Sequence, residues 1–404
     1  MPNISMRGAT LPASPIRKLT PYAEAARREG VKIYHLNIGQ PDLPTPSQAL
    51  EVLGKIDRKT LEYSPSQGLL SLREAFSRYY HRAGLEVSPD DIIVTCGGSE
   101  AVLMAFLTCL DPGDEVIMTE PSYANYMAFA QQAGLEVRTI PSDIREGFAL
   151  PPMHAFEDVI TPRTRAVLIC NPNNPTGYVY SREELLQLRD IVLKYNLFLI
   201  SDEVYREFVY TDEPFCSVLT LPDLEDHVIV VDSVSKRYSE CGIRIGMAVS
   251  RNREVREAVL RFCQARLSPP LIGQIVAEAS IDGSEDYLRA CYVEYRARRD
   301  FFMAGLQQIP GVYSPMPQGA FYTTASLPVE DAEDFCRWCL TDFRLVEPGL
   351  PPRTVMLAPA AGFYMDPSRG RNQVRMAYVL NREDLADALK VLRLALEAYP
   401  GARG

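Results

Sequence analysis

Ser233-Val-Ser-Lys236-Arg-Tyr-Ser-Glu-Cys-Gly-Ile-Arg244-Ile-Gly246 follows the apolar run Val228-Ile-Val-Val231. That run reads as a strand buried on both faces. Lys236 therefore lies just past a strand end, between hydroxyls and eight residues before an arginine. An amine close to other cations and partly desolvated gives up its proton easily and can condense with an aldehyde. Two serines and an arginine are what a phosphate dianion needs: neutral donors and a bidentate cation.

Outward from this stretch the chain alternates strands and helices. Ile92–Thr95, Glu115–Thr119, Leu135–Ile140, Ala166–Cys170, Phe198–Ser201 and Met247–Ser250 read as further strands. Helices are expected at 100–110, 123–132 and from the Ser181-Arg-Glu-Glu184 capping box to Tyr195. Buried strands separated by helices predict an α/β fold with a parallel or mixed sheet covered on both faces. Upstream, a helix is expected over 21–29. The stretch from Tyr34 through the proline-rich Leu43-Pro-Thr-Pro46 reads as a loop, and Ser71-Leu-Arg-Glu74 as a capping box. Downstream of Ser268-Pro-Pro270 the alternation fades. A long helix over 286–308 reads as a bridge to a smaller α+β domain, with strands near 320–325 and 374–379 and a last helix opening at Asn381.

The 404 residues exceed one ordinary core, so one large and one smaller domain are expected. A net charge of −10 without a basic cluster argues against nucleic-acid binding. No apolar run approaches a membrane span, and the first residues lack a signal-peptide core. Nine cysteines then read as thiols in a reducing cytoplasm. Cys336-Arg-Trp-Cys339 has redox-motif spacing, but it lies in a helical pattern and has no second pair to complete a zinc site. The four scattered histidines suggest no metal centre.

Ligands of open α/β sheets collect at the carboxyl ends of strands, where the remaining unusual residues of this chain fall. Gly97-Gly98-Ser99-Glu100 opens a helix after a strand, a seat for phosphate. Asn171-Pro-Asn-Asn174-Pro-Thr-Gly177 presents Asn174 as an oriented donor. Asp202-Glu-Val-Tyr205 offers an acid able to keep a heteroaromatic nitrogen protonated, with Tyr205 one turn later. Tyr123 can stack on a planar ring. An aldehyde, a phosphate, a ring nitrogen and a ring hydroxyl together describe pyridoxal 5′-phosphate.

With these markers in order, the chain resembles the class I/II aminotransferases of fold type I, the aspartate aminotransferase superfamily. The ordered set is Gly39-Gln-Pro-Asp42, Tyr63, Gly68, Leu72-Arg73, Gly97–Glu100, Asn174–Gly177, Asp202–Tyr205, Ser233–Gly246 and Arg375. The resemblance implies a large domain with a mostly parallel seven-stranded sheet between helices and a smaller α+β domain. Residues 1–40 would form an arm and part of the small domain, 41–284 the large cofactor-binding domain and 285–404 the small domain. It further implies that Lys236 is the Schiff-base lysine and proton shuttle, and that Asp202 pairs with the pyridine nitrogen. Asn174 and Tyr205 would bond the phenolic oxygen. Gly98, Ser99, Glu100 (through backbone amides), Ser233, Ser235 and Arg244 would hold the phosphate, and Tyr123 would stack on the ring. Arg375 would grip the substrate α-carboxylate, helped by Asn174 and the Gly39 backbone. Tyr63 would reach the phosphate of the neighbouring subunit, making the active unit a homodimer.

The expected reaction moves the amino group of an aspartate, aromatic or alanine-like L-amino acid to a 2-oxo acid, with 2-oxoglutarate the acceptor by family habit. Some aspartate-using relatives carry a lysine directly after the Gly-Gly pair. Ser99 stands there, so strict dicarboxylate preference does not follow. Arg266 is weighed as a compensating cation from across the dimer interface against an ordinary surface arginine. The same site could instead serve a C–S β-lyase, which would release pyruvate and ammonia from a cysteine conjugate without an oxo acid. A regulatory protein on this fold would carry a DNA-binding domain ahead of Val31, and the short arm has no basic recognition helix. A cofactor-free homologue is disfavoured by the intact Lys236, Asp202 and Arg375.

Overall fold

Apolar runs whose side chains alternate between two cores form the centre of the molecule. The computed structural model describes residues 2–11 and 14–401. In chain order the strands are β1 (Lys32–His35), β2 (Ile92–Thr95), β3 (Glu115–Glu120), β4 (Glu136–Pro141), β5 (Thr164–Cys170) and β6 (Phe198–Asp202). They continue with β7 (Val228–Ser233), β8 (Gly246–Val249), β9 (Tyr322–Ser326), β10 (Arg353–Met356), β11 (Ala358–Pro359) and β12 (Gln373–Ala377). Seven of them form one sheet in the order β2-β8-β7-β6-β5-β3-β4, in which only the pairings of β8 are antiparallel. Ala166, Leu168, Ile200, Ile229 and Val231 face one core, while Val167, Ile169, Leu199, Val228 and Val230 face the other. Period-two alternation in strands that are apolar throughout is what a sheet sandwiched by helices requires. The seven-stranded, mostly parallel α/β architecture is thus the expected one.

The register sets the carboxyl ends in a row. Cys170 pairs with Asp202, Asp202 with Val231, and Ser233 with Gly246, which also faces Thr95. Each crossover brings its polar strand-end residues to this one edge. Away from the main sheet, β9, β12 and β11 form an antiparallel sheet, and β1 pairs in parallel with β10. The helix Glu285–Leu306 starts with Tyr287 and Leu288 against one core and ends with Phe302, Met303 and Leu306 in the other. Among the described residues no helix is long and apolar enough to cross a membrane.

Several local expectations are corrected. Ser71 does not cap a helix. The helix spans Leu70–Arg82 with Leu69 at its N-cap, and the Ser71 hydroxyl instead donates to Glu278 at 2.7 Å. The loop assigned from Tyr34 contains the end of β1, held by its pairing with Arg353–Met356, a partner far away in sequence. The helix Arg253–Arg266 occupies a stretch given no element in the sequence reading, and the helix Leu271–Ile281 follows Ser268-Pro-Pro270, where the alternation seemed lost. The Ser181 capping box and the Asn381 cap form as expected. Cys336 and Cys339 lie buried in the helix Ala332–Thr341, where burial pushes both thiols well up, so they are packing groups rather than nucleophiles.

Candidate active site

The row of strand ends opens onto a cavity of about 760 Å³. Its wall includes Gly39, Gly98, Ser99, Tyr123, Asn174, Asp202, Tyr205, Ser233, Ser235, Lys236, Arg244 and Arg375. Twelve positions scattered through the chain are therefore brought to one space. Tyr63 is 77% exposed and is not part of this chain's own cavity wall. Glu100 also lies outside the wall. Its carboxylate turns back to accept from the Cys96 amide at 2.7 Å and pairs with Arg266 at 3.2 Å. Arg266 is thus partly buried and ion-paired within this chain, while its Nη1 has no hydrogen-bond partner.

The Lys236 amine donates to the Gly39 carbonyl at 2.9 Å. The segment that carries it is clasped from behind. Ser233 Oγ donates to the Ile245 carbonyl at 2.8 Å and accepts from the Ser235 amide at 3.1 Å, and its contact of 2.8 Å with Ser235 Oγ is one in which the Ser235 hydroxyl must donate. Arg237 points away from the cavity and forks onto Asp232 at 2.6 and 2.8 Å. Two glycines make the adjoining cradle possible. A Cβ on Gly97, whose φ is +83°, would sit 2.5 Å from Arg244 Nη2, and one on Gly246 would overlap the Gly97–Gly98 peptide. Gly97 caps the helix Gly98–Cys109, whose first amides are left without intrahelical partners. Amides at a helix N-terminus, serine hydroxyls and a guanidinium make a cradle shaped for a phosphate.

Asp202 is buried. Its Oδ2 accepts from Tyr126 at 2.5 Å and its Oδ1 from the Val204 amide at 3.3 Å. Burial raises its carboxyl to about 6, against the lowering effect of these hydrogen bonds and of Lys236. Asn174, Tyr205, Tyr322 and Arg375 form one network. Arg375 donates to Asn174 Oδ1 at 3.1 Å, and because a guanidinium can only donate, the Asn174 amino group must face the other way, toward Tyr205 at 3.4 Å. Tyr205 and Tyr322 share a hydrogen bond of 3.0 Å. Arg375 is 1% exposed and stacks over Tyr322 and Phe363, with centroid distances of 4.7 and 5.3 Å. Among the described residues it has no carboxylate partner, and its Nε has no partner at all. A buried guanidinium without a counter-ion calls for an anionic ligand.

Tyr126, Tyr322, Arg17 and Cys241 also line the cavity, and sequence reasoning did not single them out. Tyr126 lies three residues after Tyr123, one helical turn along, so the spacing held a signal. Tyr322 could be sensed only through Gly39, where a Cβ would lie 1.8 Å from its phenol oxygen.

Residues 31–392 match the family "Aminotransferase class I and II". The chain is 32% identical to the probable aspartate/prephenate aminotransferase of Thermus aquaticus over 98% of its own length and all of that protein. It is also 32% identical to the aspartate aminotransferase of Thermotoga maritima, covering 96% of this chain and 97% of that one. A Thermus thermophilus aspartate aminotransferase variant superposes with a TM-score of 0.88 at 30% identity, covering 98% of this chain and all of that one. An alanine aminotransferase from Pyrococcus furiosus superposes with the same score, identity and coverage. The chain belongs to the class I and II aminotransferases, and it is an aminotransferase of fold type I.

Proposed function

We propose that this aminotransferase holds pyridoxal 5′-phosphate in the cavity and passes the amino group of an L-amino acid to a 2-oxo acid, with 2-oxoglutarate as acceptor. The observation that carries this reading is the meeting of Lys236, Asp202 and the Gly97–Arg244 cradle around one cavity. Their chemistry matches the aldehyde, the ring nitrogen and the phosphate of that one molecule. Lys236 would hold the aldehyde carbon through its amine. Ser233, Ser235, Arg244 and the amides of Gly98, Ser99 and Glu100 would hold the phosphate. Tyr123 would lie on the ring, and Asn174 with Tyr205 would donate to the ring hydroxyl. When bound, the cofactor supplies an electron sink for the bond to be broken at the substrate α-carbon.

The protein's own part is positioning and proton transfer. Asp202, oriented by Tyr126, is a counter-ion for a cationic ring nitrogen, and that cation would pull its carboxyl back down from about 6. Arg375 pairs with the α-carboxylate and, with Asn174, fixes which face of the α-carbon meets Lys236. The Lys236 amine would take the α-proton and redeliver it, the task of a general acid–base held within reach of the reacting carbon. Aspartate, aromatic and alanine-like donors fit this scheme alike. The exposed Tyr63, outside the cavity of its own chain, suits a homodimer in which it completes the neighbour's phosphate site. A cytoplasmic setting accords with the nine free thiols.

The test is a panel of amino donors against 2-oxoglutarate, each half-reaction followed by the absorbance of the bound cofactor. Conversion of at least one donor, reversed by the oxo acid, is expected. A colourless protein, or pyruvate released from a cysteine conjugate without any oxo acid, would contradict the reading.

A further inference from the structure

Of the four side chains in the Arg375 network, Asn174, Tyr205 and Arg375 have tasks in the reading above, and Tyr322 has none. Tyr322 opens β9 and is 2% exposed. Its position is fixed from several sides. Arg375 pairs across the small sheet with Thr324, so Tyr322 is its diagonal neighbour on the same face, and the guanidinium lies over the phenol ring. A Cβ on Gly177 would come within 2.7 Å of the Tyr322 carbonyl, and one on Gly39 would collide with its hydroxyl. The Tyr205 ring meets it edge-on, with centroids 5.5 Å apart.

A tyrosine oxygen has one proton to donate and two lone pairs with which to accept. The Tyr205 oxygen lies 3.4 Å from the Asn174 amino group, which can only donate, and 3.0 Å from the Tyr322 oxygen. The Tyr322 proton has one other acceptor, the Gly39 carbonyl. That contact is longer, at 3.4 Å, and Lys236 already donates to the same oxygen at 2.9 Å. The shorter bond, to Tyr205, is the better one. With Asn174 and Tyr322 both donating to it, Tyr205 has both lone pairs occupied. Among the described residues it has no further hydrogen-bond partner, so its own proton is left for an acceptor in the cavity. Burial pushes the Tyr205 phenol well above its ordinary value, which keeps that proton in place to be donated.

We propose that Tyr322 is a positioning residue whose hydroxyl donates to Tyr205 and so directs the Tyr205 proton onto the ring oxygen of the cofactor. This rests on the reading of the cavity as the aminotransferase site and adds to it a residue that acts through Tyr205. Hydrogen bonds in a chain strengthen one another, so the ring oxygen carries negative charge more easily when Tyr322 backs Tyr205. In the cofactor that oxygen is ortho to the carbon that Lys236 would hold. The less basic the oxygen, the more readily the Lys236 nitrogen gives up its proton.

The experiment is a spectrophotometric pH titration of the cofactor-loaded protein without substrate, read as the midpoint at which the absorbance of the Lys236-bound cofactor changes. Tyr322→Phe removes the hydroxyl and keeps a ring over Arg375. Its midpoint lies above that of the wild type by about 0.4 to 1 pH unit, the range of one neutral hydrogen bond. Tyr205→Phe raises the midpoint at least as far, and adding Tyr322→Phe to Tyr205→Phe brings no further rise. A hydroxyl that only packs the protein would move the melting temperature and leave the midpoint in place. An unchanged midpoint in Tyr322→Phe therefore overturns the proposal. So does an undiminished rise in the Tyr205→Phe background, which would make Tyr322 act independently of Tyr205. A wild type with no titrating absorbance sinks the reading of the cavity and the proposal with it, whereas a titrating wild type with an unshifted Tyr322→Phe sinks the proposal alone.

Discussion

Lys236 and Arg237 are neighbours in sequence and serve opposite sides of one turn. On the buried side the protein supplies every charge it needs. Arg237 forks onto Asp232, lies 3.7 Å from Glu207 and covers the Tyr79 ring at 4.0 Å, while Tyr80 also donates to Asp232 at 2.9 Å. On the cavity side the protein withholds its carboxylates. Among the described residues, Lys236, Arg244, Arg375 and Arg17 face one space with Asp202 as the only acid in its wall. The difference separates structural from functional cations: a buried cation met by protein anions holds the fold together, and one left without them awaits a ligand.

The comparison predicts where each substitution does its damage. Lys236→Ala should lower turnover on the order of 10⁴-fold or more while leaving unfolding free energy nearly unchanged. Steady-state rates and denaturant titration of the same preparation check both halves. Arg237→Met should do the reverse, destabilising the fold by about 3–5 kcal/mol because Asp232 is left buried and unpaired. Adding Asp232→Asn should recover part of that loss, a non-additivity visible in a double-mutant cycle. Arg375→Leu should lower kcat/KM by about 10²- to 10³-fold for every amino donor alike, since every donor presents an α-carboxylate. A loss confined to one donor would move Arg375 from the common site to a specificity site.

The smallest effect concerns pH. Burial raises the Asp202 carboxyl from 3.8 to about 6 in the folded protein. A raised value means that the folded state binds the proton more tightly than the unfolded chain. Its contribution is full below about 4 and is lost as pH rises through about 6. Cofactor-stripped wild type should therefore lose about 2–3 kcal/mol of stability between pH 4 and 7 relative to Asp202→Asn. Parallel denaturation of the two proteins across that range measures it, and curves that stay parallel would mean that Asp202 is better solvated than its burial indicates.

How much of this was legible in the sequence follows the same division. Lys236, Asp202, Asn174 and the Gly97–Gly98 turn announce themselves because each sits in a short motif directly after an apolar strand, and sheet topology then carries all strand ends to one edge. The strands themselves were legible from runs such as Val228–Val231, to within a residue or two. Tyr322 and Arg17 were not legible as site residues, because they reach the cavity from distant segments with no local pattern of their own. β1 was missed for the same reason, its partner β10 being some three hundred residues away. Arg266 shows the converse. Its charge suggested a role toward substrate, and only the packing of its helix against Glu100 reveals an ion pair within this chain. Ser71 carried a capping signature that lost to a contact with Glu278, a tertiary partner overriding a local preference.

The proposed bond between Lys236 and the cofactor aldehyde can be trapped. Reducing the cofactor-loaded protein with borohydride and mapping the attached pyridoxyl group by peptide mass spectrometry should place the label on Lys236 alone. Label on any other lysine, or none, overturns the assignment.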